Sequence, residues 1–191
     1  MAAPITGVAP YNKIRDHAFI LKLIEQYLHE WPEAPAFADL DSPIVYAHWT
    51  DKDGSVIDVH HRQQLFVYLQ DNTVIGFIRL FEVPQNDAGW EDLRILVQPI
   101  IATNQIGMIE QLGVAPAYKK TGIASALIQH ACKNLKQQGM QAIIFSVMSD
   151  NADMLPLLQK QGLSKLMTVT NEESTWGGAY DWYVFETKNI A

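Results

Sequence analysis

Apolar residues near the start of the chain recur at the spacing of a helix. Residues 17–31 form this stretch, with Asp16 as the expected N-cap and Pro32 just beyond its end. Its apolar positions lie on one helical face: Phe19, Ile20, Leu23, Ile24, Tyr27 and Leu28. The pattern predicts an amphipathic helix. Residues 1–12, with two prolines and a glycine, predict a loose arm before it.

The middle of the chain changes to the runs expected of strands. Residues 65–69 are apolar or aromatic throughout, and residues 74–83 form a second run. Asp71 and Asn72 between them favour a tight turn, so the two runs predict an antiparallel hairpin. Residues 84–104 predict a loop, although they contain one short apolar run.

From residue 107 onward the predicted elements alternate between strands and helices. They are strands over residues 107–114, 142–148, 163–169 and 180–187 and helices over residues 122–136 and 153–160. Gly139 and Gly162 end the two helices, and Pro156 falls in a first turn, where proline is tolerated. The order of elements predicts a mixed α/β fold in a single domain over residues 1–191, with helices against a central sheet.

Composition and charge exclude several classes of function. The chain has 191 residues, 48% of them apolar, and a net charge of −7, which disfavours contact with nucleic-acid phosphates. Cys132 is the only cysteine, so an internal disulfide and a cysteine-based metal site are excluded. The N-terminal residues lack the features of a signal peptide, and no apolar stretch is long enough to cross a membrane. We therefore expect a cytoplasmic protein without nucleic-acid or membrane partners and without a metal.

One segment after the strand over residues 107–114 has the character of an anion site. It reads Lys119, Lys120, Thr121, Gly122, Ile123, Ala124 and Ser125 and leads into the helix. The first N–H groups of a helix lack partners within it, and the helix dipole adds partial positive charge there. Two lysines, two hydroxyls and two small residues suit an approaching phosphate. The residues alone leave the alternative of an ordinary loop with solvated lysines, and the Walker and dinucleotide-binding glycine patterns are absent.

The order of motifs over residues 107–163 resembles the core of the GNAT superfamily of N-acetyltransferases. The family's phosphate loop reads [Arg/Gln]-x-x-Gly-x-[Gly/Ala] after a strand ending in Val-x-Pro. Here Val114-Ala115-Pro116 precedes Lys119-Lys120-Thr121-Gly122-Ile123-Ala124. The family then has a buried strand, an Asn and a helix closed by Lys-x-Gly-Phe. This chain has Asn151 and Lys160-Gln161-Gly162-Leu163 at the corresponding places.

The resemblance implies a mostly antiparallel sheet in which the family's strands 4 and 5, here residues 107–114 and 142–148, splay apart. It also implies that acetyl-CoA is the co-substrate and that residues 107–163 are its binding core. The pantetheine arm would run along the backbone of Leu112, Gly113 and Val114, with Asn151 near the thioester. A backbone N–H in this region would polarise the acetyl carbonyl. The family often forms homodimers, so a homodimer is implied as well.

Beside the cofactor, Leu158 stands where many family members have a proton-donating Tyr. Leucine cannot donate a proton. Tyr180 and Tyr183 are candidate replacements, and a thiolate can also leave unprotonated because thiol pKa values lie near 8.5. Glu110 is the candidate general base, with a plain surface carboxylate as the alternative. Because residues alternate along a strand, Glu110 and Gln111 are not both expected to face the cleft.

The sequence therefore predicts an N-acetyltransferase that moves an acetyl group from acetyl-CoA to an amine of a small molecule or peptide by direct attack. An alternative of another class is a non-catalytic acyl-CoA-binding or regulatory module on the same fold. The absence of a Tyr at position 158 keeps this alternative open.

Overall fold

The computed structural model describes residues 4–27, 44–50, 56–83, 105–170 and 179–186. In chain order the elements are β1 (Gly7–Pro10), α1 (Lys13–Tyr27), β2 (Ile44–Thr50), β3 (Val56–Gln70), β4 (Thr73–Glu82), β5 (Ile106–Val114), α2 (Ile123–Gln137), β6 (Ala142–Met148), α3 (Met154–Lys160), β7 (Ser164–Thr170) and β8 (Ala179–Glu186). The predicted elements from β5 to β8 are confirmed to within about two residues at each end. The predicted loop over residues 84–104 lies outside the described residues.

The described strands form one mixed sheet in the order β1-β3-β4-β5-β6-β8-β7. β2 pairs with the first half of β3, while β1 pairs with its second half. The ladders are antiparallel except for the one between β5 and β6, which is parallel. The predicted mixed α/β fold with a mostly antiparallel sheet is therefore confirmed.

The hairpin of β3 and β4 is confirmed, and its turn shows why these residues favour it. Asp71 and Asn72 have φ values of 51° and 64°, a left-handed conformation that Asp and Asn tolerate better than most residues. The Asn72 side-chain oxygen also accepts a hydrogen bond from the backbone N–H of Ile5, at 3.0 Å. β3 begins at Val56, nine residues before the apolar run that predicted it. Its earlier half pairs with β2, a partner that the local pattern does not reveal.

The start of α1 differs from the prediction. The side-chain oxygen of Asn12 accepts a hydrogen bond from the backbone N–H of Arg15 at 3.1 Å, so the N-cap is Asn12 rather than Asp16. Asp16 lies one turn inside the helix, where its carboxylate accepts a hydrogen bond from the backbone N–H of Asn12 at 2.7 Å. The two side chains thus satisfy each other's backbone groups, as in a capping box. The predicted end near Pro32 lies outside the described residues.

The predicted loose arm over residues 1–12 is wrong for Gly7–Pro10, which form β1 along the edge of β3. Their Gly and Pro residues are typical of a loop, which is why the sequence predicted one. Pro is nevertheless tolerated in an edge strand, because an edge strand needs no N–H donor on its outer side.

Two apolar clusters cover the two faces of the sheet, and β4 contributes to both because its side chains alternate between faces. On one face, Ile20 and Leu23 of α1 pack against Phe77 and neighbouring residues of β3. On the other face, Leu127 of α2 and Leu158 of α3 are fully buried in the larger cluster. Within the described ranges, no helix is long and apolar enough to cross a membrane.

β5 and β6 separate after only four pairs of residues. The last pair is Ile109 with Phe145, although β5 continues to Val114 and β6 to Met148. On its other side β5 stays paired with β4, but the register shifts there. Arg79 pairs with Gln111 and Leu80 with Ile109, so Glu110 is the extra residue of a β-bulge. The splayed strands that the family resemblance implied are therefore present, and the bulge lies where they part.

Gly113 packs beneath the aromatic ring of Phe77. A methyl group added at Gly113 would lie 2.5 Å from Cε1 of Phe77, which is closer than packed carbon atoms approach. We expect Gly113→Ala to lower the free energy of unfolding in urea by about 1–3 kcal/mol. Phe77→Leu combined with Gly113→Ala should cost less than the sum of the two single changes, because the smaller side chain leaves room. A fully stable Gly113→Ala protein would contradict the packing described.

Candidate functional site

The start of α2 leaves backbone donors uncovered. Gly122 is its N-cap, with a φ of +93°, a conformation that glycine adopts without strain. No side chain of the described residues caps this end, and the first intrahelical bond runs from Ala126 N to Gly122 O at 3.0 Å. The N–H groups of Ile123, Ala124 and Ser125 therefore have no acceptor within the helix. This geometry suits an anion, as the sequence predicts for the segment.

The loop before this helix is compact and exposed. It begins with one turn of 3₁₀ helix over Pro116–Tyr118, whose carbonyl at Tyr118 accepts a hydrogen bond from the Thr121 hydroxyl at 2.6 Å. Thr121, predicted as a phosphate donor, thus uses its proton within the loop. Lys119 and Lys120 are both exposed. The Lys120 ammonium lies 3.6 Å from Asp153 at the start of α3, a surface ion pair that contributes little to stability.

Asn151 lies between β6 and α3, on the side of the opening opposite β5. Its side-chain oxygen accepts a hydrogen bond from the backbone N–H of Met154 at 3.1 Å, and its backbone oxygen accepts one from Leu155 at 3.2 Å. Asn151 therefore stabilises the first turn of α3. Its side-chain NH₂ group is the part that this contact leaves for a ligand.

The side chain at the family's tyrosine position belongs to the core. Leu158 has no exposed surface and packs in the cluster beneath α2 and α3. Tyr183 of β8 lies in the same cluster, is 2% exposed and pairs with Phe145 of β6. The side chain of Tyr180, the other predicted acid, lies outside the described part of the chain.

The bulge gathers polar side chains on the face of the sheet that α1 covers. Glu110 Oε2 lies 3.5 Å from Nη1 of Arg79, so the two side chains share a face. Gln111 is the ladder partner of Arg79 and lies on that face too. The expectation that Glu110 and Gln111 face opposite ways is therefore wrong, because a bulge sets two residues opposite one and interrupts the alternation.

Two residues of this cluster were not predicted from the sequence. Arg79 is 2% exposed, and its Nε donates a hydrogen bond to Oε1 of Gln63 on β3 at 2.8 Å. The guanidinium carbon also lies 4.8 Å above the ring of Phe81. The signal in the sequence was a cation in the interior of a mostly apolar strand, because a buried cation is rare without a partner.

Burial controls the electrostatics of Glu110. Burial raises the pKa of this carboxyl to about 7, and the charge of Arg79 offsets part of the rise. The side chain is 35% exposed as a whole, but its Oε2 is buried. Within the described residues, Glu110 Oε2 and Gln111 Oε1 are buried acceptors without a hydrogen-bond donor. Since buried acceptors are costly when unpaired, both are suited to receive a donor from a ligand.

A second buried carboxylate, Asp181 of β8, is satisfied by the protein itself. It accepts hydrogen bonds from Ser149 and Thr168, each at 2.8 Å, and Lys165 lies 2.7 Å away. The bond from Lys165 is the main reason that the pKa of Asp181 lies below its ordinary value. Because Ser149 directly follows β6, this cluster holds the end of β6 against β7 and β8 and fixes one side of the opening.

Comparison with known proteins agrees with this geometry. Residues 20–163 match the model of the acetyltransferase (GNAT) family. The sequence matches no curated protein.

Several solved structures share the architecture along almost the whole chain. The ribosomal-protein-S18-alanine N-acetyltransferase of Escherichia coli is 13% identical, with a TM-score of 0.64, over 96% of this chain and 94% of that one. Ard1 of Thermoplasma volcanium is 15% identical, with a TM-score of 0.64, over 97% and 98%. The IAA acetyltransferase of Bacillus cereus ATCC 14579 is 16% identical, with a TM-score of 0.62, over 95% and 99%. At these identities the similarity shows the fold alone.

The raised pKa of Glu110 makes stability depend on pH. The folded protein keeps this proton from the ordinary value of 4.5 up to about 7, where the unfolded chain has released it. The free energy of unfolding of the wild type, relative to Glu110→Gln, should therefore fall as the pH rises through that range. Urea unfolding of both proteins across the range measures the difference, and a constant difference would refute the assigned environment.

Asp181→Asn supplies a control of opposite sign. The pKa of Asp181 is lowered in the folded protein, so the advantage of the wild type over this variant should be lost as the pH falls below the ordinary value of 3.8.

Proposed function

The chain belongs to the acetyltransferase (GNAT) family, and on this premise we propose that it is an N-acetyltransferase, moving an acetyl group from acetyl-CoA to a primary amine of a small molecule or a peptide. One observation carries the proposal. Where β5 and β6 part, Glu110 presents a buried oxygen that has no hydrogen-bond donor among the described residues, and its pKa is raised to about 7. Such a group suits the removal of a proton from an amine.

The residues around the opening fit acetyl-CoA. The uncapped N–H groups of Ile123, Ala124 and Ser125 would hold the pyrophosphate, with Lys119 and Lys120 beside them. Gly122 has no side chain to obstruct this approach, and nothing lies within 4 Å of where its Cβ would be. When bound, acetyl-CoA supplies an acetyl group activated as a thioester.

The backbone of Leu112, Gly113 and Val114 would hold the pantetheine arm, because β6 has left this part of β5. Gly113 can contribute only its backbone, and Phe77 fills the space that a side chain at this position would need. On the other side of the arm would lie the NH₂ group of Asn151, which precedes α3, and the part of α3 around Leu158. The Leu158 side chain itself stays in the core.

The proposed reaction is a direct transfer. The amine nitrogen attacks the acetyl carbonyl carbon, the new C–N bond forms, and the C–S bond breaks with its electron pair leaving on sulfur. Glu110 accepts the proton that the amine loses, and Gln111 Oε1 can accept a hydrogen bond from a second N–H of the same nitrogen. Because thiol pKa values lie near 8.5, the thiolate can leave without an acid. Tyr180 or Tyr183 is the proposed acid if sulfur is protonated first.

One observation favours a second function on the same fold. Leu158 fills the tyrosine position with a fully buried apolar side chain, which is compatible with a module that binds acyl-CoA without turning it over. In that case Glu110 would be a buried carboxylate without a catalytic task.

Turnover separates the two functions. Release of free CoA from acetyl-CoA is measured with alkyl amines, amino acids and peptides with a free N-terminus. We expect turnover with at least one class, and a fall in kcat of about 10²- to 10⁴-fold for Glu110→Gln. Glu82→Gln, at the end of the same sheet's β4, serves as the matched carboxylate control. If acetyl-CoA instead raises the melting temperature of the protein but no amine causes acetyl-CoA to release free CoA, the result would support the binding module.

The lysines of the phosphate loop provide a separate test of the cofactor site. We expect the double variant Lys119→Ala/Lys120→Ala to raise the KM for acetyl-CoA about tenfold, which corresponds to about 1.4 kcal/mol. kcat should change little, because the pyrophosphate that these lysines would contact is separated from the acetyl group by the pantetheine arm. Lys133→Ala/Lys136→Ala, further along α2, removes the same charge as a control. An equal KM for both double variants would argue against a phosphate at the helix start.

A further inference from the structure

Arg79 is a buried cation that neither the family resemblance nor the proposed transfer assigns to a task. It lies in the interior of β4, a mostly apolar strand, and only 2% of it is exposed. Removing a charge from water costs free energy, and an apolar residue at such a position is often neutral or stabilising. The contacts of Arg79 therefore need an explanation beyond packing.

These contacts orient its charge toward Glu110. Gln63 accepts the hydrogen bond from Nε at 2.8 Å, and the ring of Phe81 lies 4.8 Å from the guanidinium carbon. Nη1 lies 3.5 Å from Oε2 of Glu110, close enough for an ion pair but without a hydrogen bond between the two atoms.

The distance matters for a base. A short hydrogen bond would occupy the oxygen that must take the proton, as at Asp181, where three donors hold the carboxylate. At 3.5 Å the guanidinium stabilises the negative charge and leaves Oε2 able to accept a proton. Arg79 is also the charge that acts on Glu110 within the described part of the chain, since β6 contains no titratable residue.

We propose that Arg79 is a positioning residue for the transfer reaction, held by Gln63 so that it fixes the Glu110 carboxylate at the opening and favours its ionised form. The proposal rests on the proposed function, in which Glu110 is the base. It makes the bulge a three-residue unit in which Gln63 orients Arg79 and Arg79 orients Glu110.

The test is the pH profile of kcat/KM for wild type, Arg79→Met, Arg79→Lys and Glu110→Gln with one responsive amine. Using the same amine for each protein keeps its own ionisation constant. The wild-type rate should fall off on the acidic side near pH 7, following Glu110. Arg79→Met should move this limb upward by about 1–3 pH units, so that activity falls roughly tenfold or more at neutral pH and recovers in base. In Arg79→Lys the acidic limb should lie close to its wild-type position. The KM for acetyl-CoA should be unchanged in both Arg79 variants.

Two further variants keep the test decisive. Gln63→Leu retains the charge of Arg79 but removes the acceptor of its Nε hydrogen bond, so we expect a smaller shift in the same direction. This variant carries the test if circular dichroism shows that Arg79→Met does not fold. Lys165→Met removes a cation from the Asp181 cluster and should leave the limb unchanged.

The outcomes distinguish the role of Arg79 from the proposed function on which it rests. An unmoved acidic limb in folded Arg79→Met, or in Gln63→Leu where Arg79→Met does not fold, with Glu110→Gln inactive, would overturn the role of Arg79 while leaving Glu110 as the base. Full activity of Glu110→Gln would instead overturn Glu110 as the base, on which this proposal rests, and the absence of turnover with any amine would overturn the proposed function itself. An upward limb shift that Lys partly restores supports the positioning role, because a loss of packing alone would lower the rate equally at each pH.

Discussion

The structure depends on the place where β5 and β6 stop pairing. The parallel ladder ends at Ile109 and Phe145, and the next residue of β5 is the bulged Glu110. Two features therefore meet at one place. Beyond Ile109 the side of β5 that faced β6 has no ladder partner, so an extended ligand can lie along it, and the bulge turns two consecutive polar side chains toward one face. A regular strand would have sent one of these side chains to the opposite face.

Packing on the other face holds this opening in place. α2 and α3 are anchored by fully buried residues such as Leu127 and Leu158, so the uncapped start of α2 stays beside the parted strands. At the end of β6, Asp181 ties the chain to β7 and β8 through Ser149 and Lys165. Fixed elements on both sides allow a ligand to bind without first ordering the site, which favours affinity. Leu158 serves this packing, and its hydrocarbon side chain has no proton to donate.

The two buried carboxylates illustrate how environment divides structural from chemical roles. Asp181 has enough donors for its charge, its pKa is lowered, and it holds strands together. Glu110 has one cation at a distance and no donor among the described residues, and its pKa is raised. The same functional group thus becomes an anchor in one place and a candidate base in the other. Arg79 is the element that keeps the second environment from simply protonating Glu110.

The sequence by itself determined what depends on residues close together in the chain. The periodicity of α2, the apolar run of β6, the Asp71–Asn72 turn and the Lys119–Ser125 loop are local features, and each was predicted at its observed place. Only the tertiary structure decided what depends on pairing between distant residues. The strand at Gly7–Pro10, the bulge at Glu110 and the approach of Arg79 and Gln63 to it follow from the ladder register. Register is set by cooperative packing across the whole sheet, which no short pattern encodes.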